Sequence, residues 1–226
     1  MKSILAIFLA AMTLLAVSGC GGHESAESAS IRVIHASPNA PNVDVLFDND
    51  TVLTNVAYTA GATRSVNAGV RRVRVNATGT TTTVIDANVT LSRGTATTVL
   101  AVNNLANIEP LVINDADSGP GIGQTRLRLV HASPSTGNVD IYISGPTDAL
   151  PATPTLANIP FKAVSDPLTV AAGNYRVRIT PAGNRNVVAI DTGALALASN
   201  SVNLALALDS PGGGAPLIAR VLTQQY

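Results

Sequence analysis

Apolar and polar residues alternate with a period of two in short runs along most of this chain, and Gly, Pro, Asn and Asp cut the runs apart. VDVLF at 43–47 and VRRVRVN at 70–76 are typical, with turn signals at Gly61, Ala68-Gly69, Thr78-Gly79 and Arg93-Gly94. Such punctuation, with no sustained 3.6-residue period, predicts strands rather than helices. In the first half the strands are expected at residues 31–36, 43–47, 52–58, 64–66, 70–76, 82–86, 88–91, 95–103 and 109–113. The stretch SPNAPN at 37–42 must be a loop, because its two prolines remove backbone donors and fix φ.

The pattern then repeats. IRVIHASPNAPNVDVLFD at 31–48 returns 96 residues later as LRLVHASPSTGNVDIYIS at 127–144. Further on, VRRVRV at 70–75 answers to NYRVRI at 174–179, residues 84–86 to 189–191, 91–100 to 197–206, and 110–111 to 216–217. The second copy carries extra residues, most of them in the Pro-rich stretch 145–160. The expected architecture is all-β: two tandem antiparallel β-sandwiches, immunoglobulin- or transthyretin-like, at 31–113 and 124–226, joined by the Gly/Pro/Asp-rich linker NDADSGPGIG at 114–123.

Alternation also assigns faces. Val43, Val45 and Phe47 point one way and Asp44 the other; Val139, Ile141 and Ile143 oppose Asp140 in the same manner. Tyr175, Val177 and Ile179 point inward, which sends Arg176 and Arg178 outward, and by analogy Arg72 and Arg74. Cross-strand ion pairs are therefore expected between Asp44 and Arg72 or Arg74, and between Asp140 and Arg176 or Arg178.

The amino terminus is read as an address rather than as fold. Lys2 precedes an apolar run at 4–17, too short to span a bilayer as a helix and suited to a signal-peptide core. The run ends in Val17-Ser18-Gly19-Cys20, which resembles the bacterial lipobox. That resemblance implies cleavage after residue 19 and acylation of Cys20, with residues 20–30 as a flexible tether. Gly21 stands where the inner-membrane retention signal of such lipoproteins has Asp, so the resemblance implies the outer membrane of a bacterial cell envelope.

Composition narrows the functions further. Cys20 is the only Cys, so no disulfide forms within the chain. Lys and Arg number 14 against 14 Asp and Glu, which gives no electrostatic case for nucleic acid. Trp is absent and aromatics are 3%, so stacking platforms for bases or sugars are scarce.

The doubled HASPxxxxVD motif, His35-Ala36-Ser37-Pro38 to Val43-Asp44 and His131-Ala132-Ser133-Pro134 to Val139-Asp140, resembles the bacterial family known as domain of unknown function 4397. The resemblance implies a β-sandwich and brings no activity with it. On the residues themselves, His35 and His131 are candidate metal ligands, but a metal site needs about three protein ligands and neither copy holds a second His or Cys. A neutral buried imidazole bonded to a turn is the preferred reading. Ser37, His35 and Asp44 could be drawn as a nucleophile set, but Ser37 lacks a G-x-S-x-G elbow, and Ser-Pro at a strand end suits a turn. Asp115, Asp117 and Gly119 faintly match a calcium-loop spacing without its later acid. No cofactor signature is present. The chain is read as a noncatalytic envelope lipoprotein, a structural or binding module. Its expected partners are the membrane, through the anchor, and envelope proteins or polysaccharide. A glycan-binding adhesin using the arginine face is the alternative, and an envelope hydrolase or its accessory a remote one.

Overall fold

The computed structural model describes residues 28–116 and 118–226. The signal segment, Cys20, most of the tether and Asp117 lie outside the described residues.

The first half forms β1 (Ser28–His35), β2 (Val43–Phe47), β3 (Asp50–Val56), β4 (Gly61–Asn67), β5 (Gly69–Ala77), β6 (Thr83–Leu91), β7 (Thr95–Val102) and β8 (Glu109–Ala116). They build two four-stranded sheets, in the orders β4-β1-β7-β8 and β3-β2-β5-β6. One core lies between them, with Ile31, Val33 and Val99 from one sheet meeting Val43, Val45, Val73 and Val75 from the other. The second half supplies β9 (Gln124–His131), β10 (Val139–Ser144), β11 (Leu156–Ile159), β12 (Leu168–Ala171), β13 (Gly173–Pro181), β14 (Ile190–Asp191), β15 (Leu195–Leu197), β16 (Ser201–Leu208) and β17 (Ile218–Gln225). Here the orders are β12-β9-β16-β17 and β11-β10-β13-β14, with β15 also on β13. Leu127, Leu129, Ile141, Val177 and Ile179 fill this second core.

The fold is thus all-β and sandwiched, with one departure from pure antiparallel pairing in each half. β1 pairs with β7 in parallel, and β9 with β16 in parallel. A parallel neighbour needs a long crossover, and the whole second sheet of each half serves as that crossover. Two boundaries also shift. β1 begins at Ser28, inside the stretch read as tether, and β8 runs to Ala116, inside the stretch read as linker. Ser28 and Asp115 are taken up by pairing with Asn67 and Ala96, so their backbones are in the ladder rather than in a loop.

A third core joins the halves. β1 is buried on both faces from Val33 to His35: Ile31 and Val33 enter the first core, while Ile34 points the other way. Ile34, Ala36, Leu100 and Val102 meet Val130, Ala132, Leu204, Leu206 and Leu208 in one buried cluster. Sheet β4-β1-β7-β8 therefore packs face to face on sheet β12-β9-β16-β17. Polar bonds cross the same boundary: Tyr58 Oη donates to the Asp209 carbonyl at 2.7 Å, and the Gly212 N–H to the Pro38 carbonyl at 2.7 Å.

Candidate functional site

The HASP motif sits where β1 and β9 run out of their sheets. His35 is 1% exposed and His131 is fully enclosed. Each ring has both nitrogens occupied by backbone. Nε2 of His35 lies 3.0 Å from the Pro41 carbonyl, and Nε2 of His131 lies 3.0 Å from that of Gly137. A carbonyl only accepts, so Nε2 carries the proton in each ring. Nδ1 accepts the N–H of the serine two residues on, at 3.3 Å from Ser37 and 3.5 Å from Ser133. Burial lowers both pKa values, against the smaller raising effect of the loop carbonyls, so both rings are neutral. Tyr58 and Phe161 stand edge-on to His35 and His131 at 5.9 and 6.2 Å. Each imidazole is a cross-brace that ties the strand end to its own loop.

That geometry bears directly on chemistry. A ring whose Nδ1 receives a backbone N–H and whose Nε2–H is given to a carbonyl has no lone pair for a metal and none to take a hydroxyl proton. Ser37 Oγ is buried with no hydrogen-bond partner among the described residues. In the second half Ser133 Oγ is bonded to Thr136 Oγ1 and to Asp209 Oδ1, and Ser135 Oγ reaches the same carboxylate oxygen at 2.8 Å. Asp209 is 1% exposed, and its Oδ2 has no hydrogen-bond partner among the described residues. The backbone of each Ser-Pro forms the turn: the Ala40 N–H returns to Ser37 O and the Thr136 N–H to Ser133 O.

The two aspartates of the motif do not pair with arginine. Asp44 Oδ1 accepts the Asn55 N–H at 2.8 Å and Thr78 Oγ1 at 3.0 Å, and Oδ2 accepts the Gly79 N–H at 3.2 Å. Those donors hold its pKa below the ordinary value, the Asn55 N–H most of all. Asp140 repeats the arrangement, with the Asn158 N–H and the Gly183 N–H each at 2.8 Å. Asn55 and Asn158 have φ of 54° and 55°, and the β2–β3 and β10–β11 ladders slip register just there. Each aspartate thus satisfies a left-handed bulge and a hairpin turn at once. The side-chain amides of Asn42 and Asn138 bond Oδ1 of the same two asparagines at 2.8 Å.

The expected Asp44–Arg72/Arg74 and Asp140–Arg176/Arg178 ion pairs are therefore corrected, although the residues share a sheet. Arg72 takes Asp86 in a two-point bond, Nε to Oδ1 at 2.7 Å, and Arg176 takes Asp191 likewise at 2.8 Å. The Arg176 hydrogen bond is the main cause holding the Asp191 carboxyl down at about 2. Arg74 reaches the Asp48 carbonyl and Asn49 Oδ1, while Asp48 itself is paired with Arg71. Arg178 departs most from the open arginine face that was expected. It is 5% exposed, because the inserted stretch folds over it, and its Nη2 donates to Ser144 Oγ and to the Ala149 carbonyl. Asp115 is a strand residue, bonded to Arg128 at 2.7 Å across the boundary between the halves. Among the described residues no three His, Cys, Asp or Glu are grouped to hold a metal.

No curated protein matches this chain. Among solved structures it is similar to the carbohydrate-binding module CBMbc (family CBM26) of Eubacterium rectale Amy13K, whose crystal structure is a complex with maltoheptaose. Identity is 11%, the match covers 87% of this chain and 98% of the other, and the TM-score is 0.28. It is also similar to a leucine-rich repeat protein of Bacteroides thetaiotaomicron, at 11% identity over 84% of this chain and 27% of that one, with a TM-score of 0.21. Neither likeness bears on what this chain binds. The family described as Domain of unknown function (DUF4397) matches residues 29–142, from the start of β1 through both HASP motifs to the middle of β10. With half of its length matched, and with the motif histidines, the serine backbones and the aspartates held by backbone bonds of the same kind at both places, the chain belongs to the DUF4397 family.

Proposed function

We propose that the protein is a noncatalytic module of the bacterial cell envelope, built as two copies of one DUF4397 domain and held on the outer membrane through acylated Cys20. The observation that carries the noncatalytic part is the state of the motif: all four imidazole nitrogens are bonded to backbone, and both motif carboxylates are bonded to backbone donors. A hydrolase whose chemistry lay in this motif would need at least one of these groups free to move a proton. The anchor rests on the lipobox-like VSGC at 17–20.

Two measurements test this. Cys20→Ser should move the protein from the detergent phase to the aqueous phase, and retention in the detergent phase refutes the anchor. Ester, peptide and glycoside substrates should show no turnover, and turnover abolished by Ser37→Ala or Ser133→Ala refutes the noncatalytic reading. A glycan-binding role cannot use Arg72 and Arg176 as free cations, since Asp86 and Asp191 neutralise them.

A further inference from the structure

The boundary between the halves has two seams, and they differ in charge. The ladders set the correspondence. Arg32 on β1 stands beside Thr98 of β7, and Arg128 on β9 beside Leu204 of β16. Across from these central strands, Leu111 and Asp115 of β8 face Leu100 and Ala96, while Arg220 and Gln224 of β17 face Leu206 and Val202. By register, then, Arg220 stands where the other half has Leu111, and Gln224 where it has Asp115.

Each central arginine reaches across to the edge strand of the opposite half. Arg128 Nη1 finds Asp115 Oδ1 at 2.7 Å and is neutralised there. Among the described residues Arg32 Nη2 donates to the neutral Gln224 Oε1 at 3.0 Å, and its Nε to Thr63 Oγ1 at 3.3 Å. The seam beside Arg32 opens into a groove of about 220 Å³, walled by Arg32, Gly61 and Thr63 on one side and Arg220, Leu222 and Thr223 on the other. Among the described residues two guanidiniums line it and no carboxylate does. Arg220 is exposed and makes no hydrogen bond or ion pair with the described residues. Asp115 and Tyr226 act on Arg32 from farther along the seam, outside this groove, and burial lowers its pKa more than they raise it. A half-buried guanidinium that hydrogen-bonds only neutral side chains among the described residues, beside an unpaired second one, is a setting that favours an oxyanion. The apolar side chains of Ile34, Ala62 and Leu222 in its lining suit the face of a ring or chain carrying it.

We propose that this groove binds the carboxylate or sulfate groups of an acidic saccharide, with Arg220 as the entering contact and Arg32 as the inner one. The proposal rests on reading the chain as a binding module and does not depend on the Cys20 anchor. The test measures binding of the full chain to polygalacturonate and to dextran sulfate, beside neutral dextran and inorganic sulfate, at low and high salt. Retention on the acidic polymers, none on neutral dextran, and weakening as salt is raised are expected. Arg220→Ala should lower affinity roughly tenfold and Arg220→Lys much less, while Arg72→Ala, on the neutralised outer sheet, should leave it unchanged. Arg32→Gln should act in the same direction as Arg220→Ala, with an unchanged circular dichroism spectrum as the control for folding. Polymer binding indifferent to both Arg220→Ala and Arg32→Gln overturns the groove while leaving a binding module standing. No binding of either acidic polymer, equal binding of neutral dextran, or Arg220-dependent binding of inorganic sulfate alone overturns the saccharide assignment.

Discussion

A buried histidine that donates from one nitrogen and accepts at the other is stable only while neutral, because protonating Nδ1 turns it against the Ser37 or Ser133 N–H that points at it. The pH dependence follows with a definite sign. Burial sets the folded pKa of His35 and His131 below the ordinary 6.5. The unfolded chain therefore takes up protons first as pH falls. The stability from the two rings is complete above about pH 6.5 and declines below it, by at most about 1.4 kcal/mol per pH unit for each ring. Denaturant midpoints recorded from pH 8 to 5 should show that decline. His131→Gln, whose amide can still give a proton to the Gly137 carbonyl, should roughly halve its slope. A flat profile in the parent protein contradicts the neutral-brace reading. The carboxylates act in a separate window: Asp44, Asp86 and Asp191 are held below 3.8, so what they contribute is lost only as pH falls through about 4 and lower.

Strand alternation assigned the inward and outward sets of β2, β5, β10 and β13 without a structure, and the cores contain Val43, Val45, Val139, Ile141, Val177 and Ile179 accordingly. Partners were not legible, because period two gives the face of a residue and says nothing of register. Asp44 lies opposite Asn76, four residues along β5 from Arg72, while Asp86 on the other neighbour lies opposite Arg74 and diagonal to Arg72. Sliding β2 by two residues along β5 would have set Asp44 opposite Arg74, the pair first expected. The same limit applies to β8 and β17. Matching Pro110-Leu111 with Pro216-Leu217 by sequence is three residues out of step with the ladders, which set Leu111 level with Arg220. The bulge asparagines were missed because the spacing from Asp44 to Asn55 differs from that between Asp140 and Asn158. Their role predicts an asymmetry. Asp140 is 7% exposed, so Asp140→Ala strands two backbone N–H groups and should cost about 1–3 kcal/mol. Asp44→Ala, at a more open site, should cost less, and thermal melts of the two variants decide the order. Gly61 makes a third case in an edge strand. A Cβ there would sit 2.2 Å from the Val33 carbonyl oxygen, so Gly61→Ala must displace β4 and lower the melting temperature.

For the whole molecule, the clue to how the halves sit together was present in the runs TTVLAV at 97–102 and VNLALAL at 202–208. A strand with one face in water alternates; these do not, and β7 and β16 are buried on both faces along most of their length. The extra face of each is the third core, where Leu100 and Val102 meet Leu206 and Leu208. That makes residues 118–123 a tie between surfaces already bound, not a hinge between free bodies. The tie is itself fastened, with the Gly121 N–H on Asn200 Oδ1 at 3.0 Å and the Gly123 N–H on Ser199 Oγ at 2.8 Å. Ile122 within it is 95% exposed and is the place to cut. If a protease site is built around Ile122 and cleaved, the two fragments should co-elute at the mass of the intact chain and melt in one transition. Each large aliphatic side chain in the third core contributes about 1.5–3 kcal/mol of burial, and the Arg128–Asp115 and Lys162–Glu109 pairs flank it. Leu206→Ala should cost about 2–5 kcal/mol in the uncut protein, and Leu100→Asp should release the fragments after cleavage. Fragments that part without any substitution would show that the covalent tie, rather than the apolar face, holds the halves together.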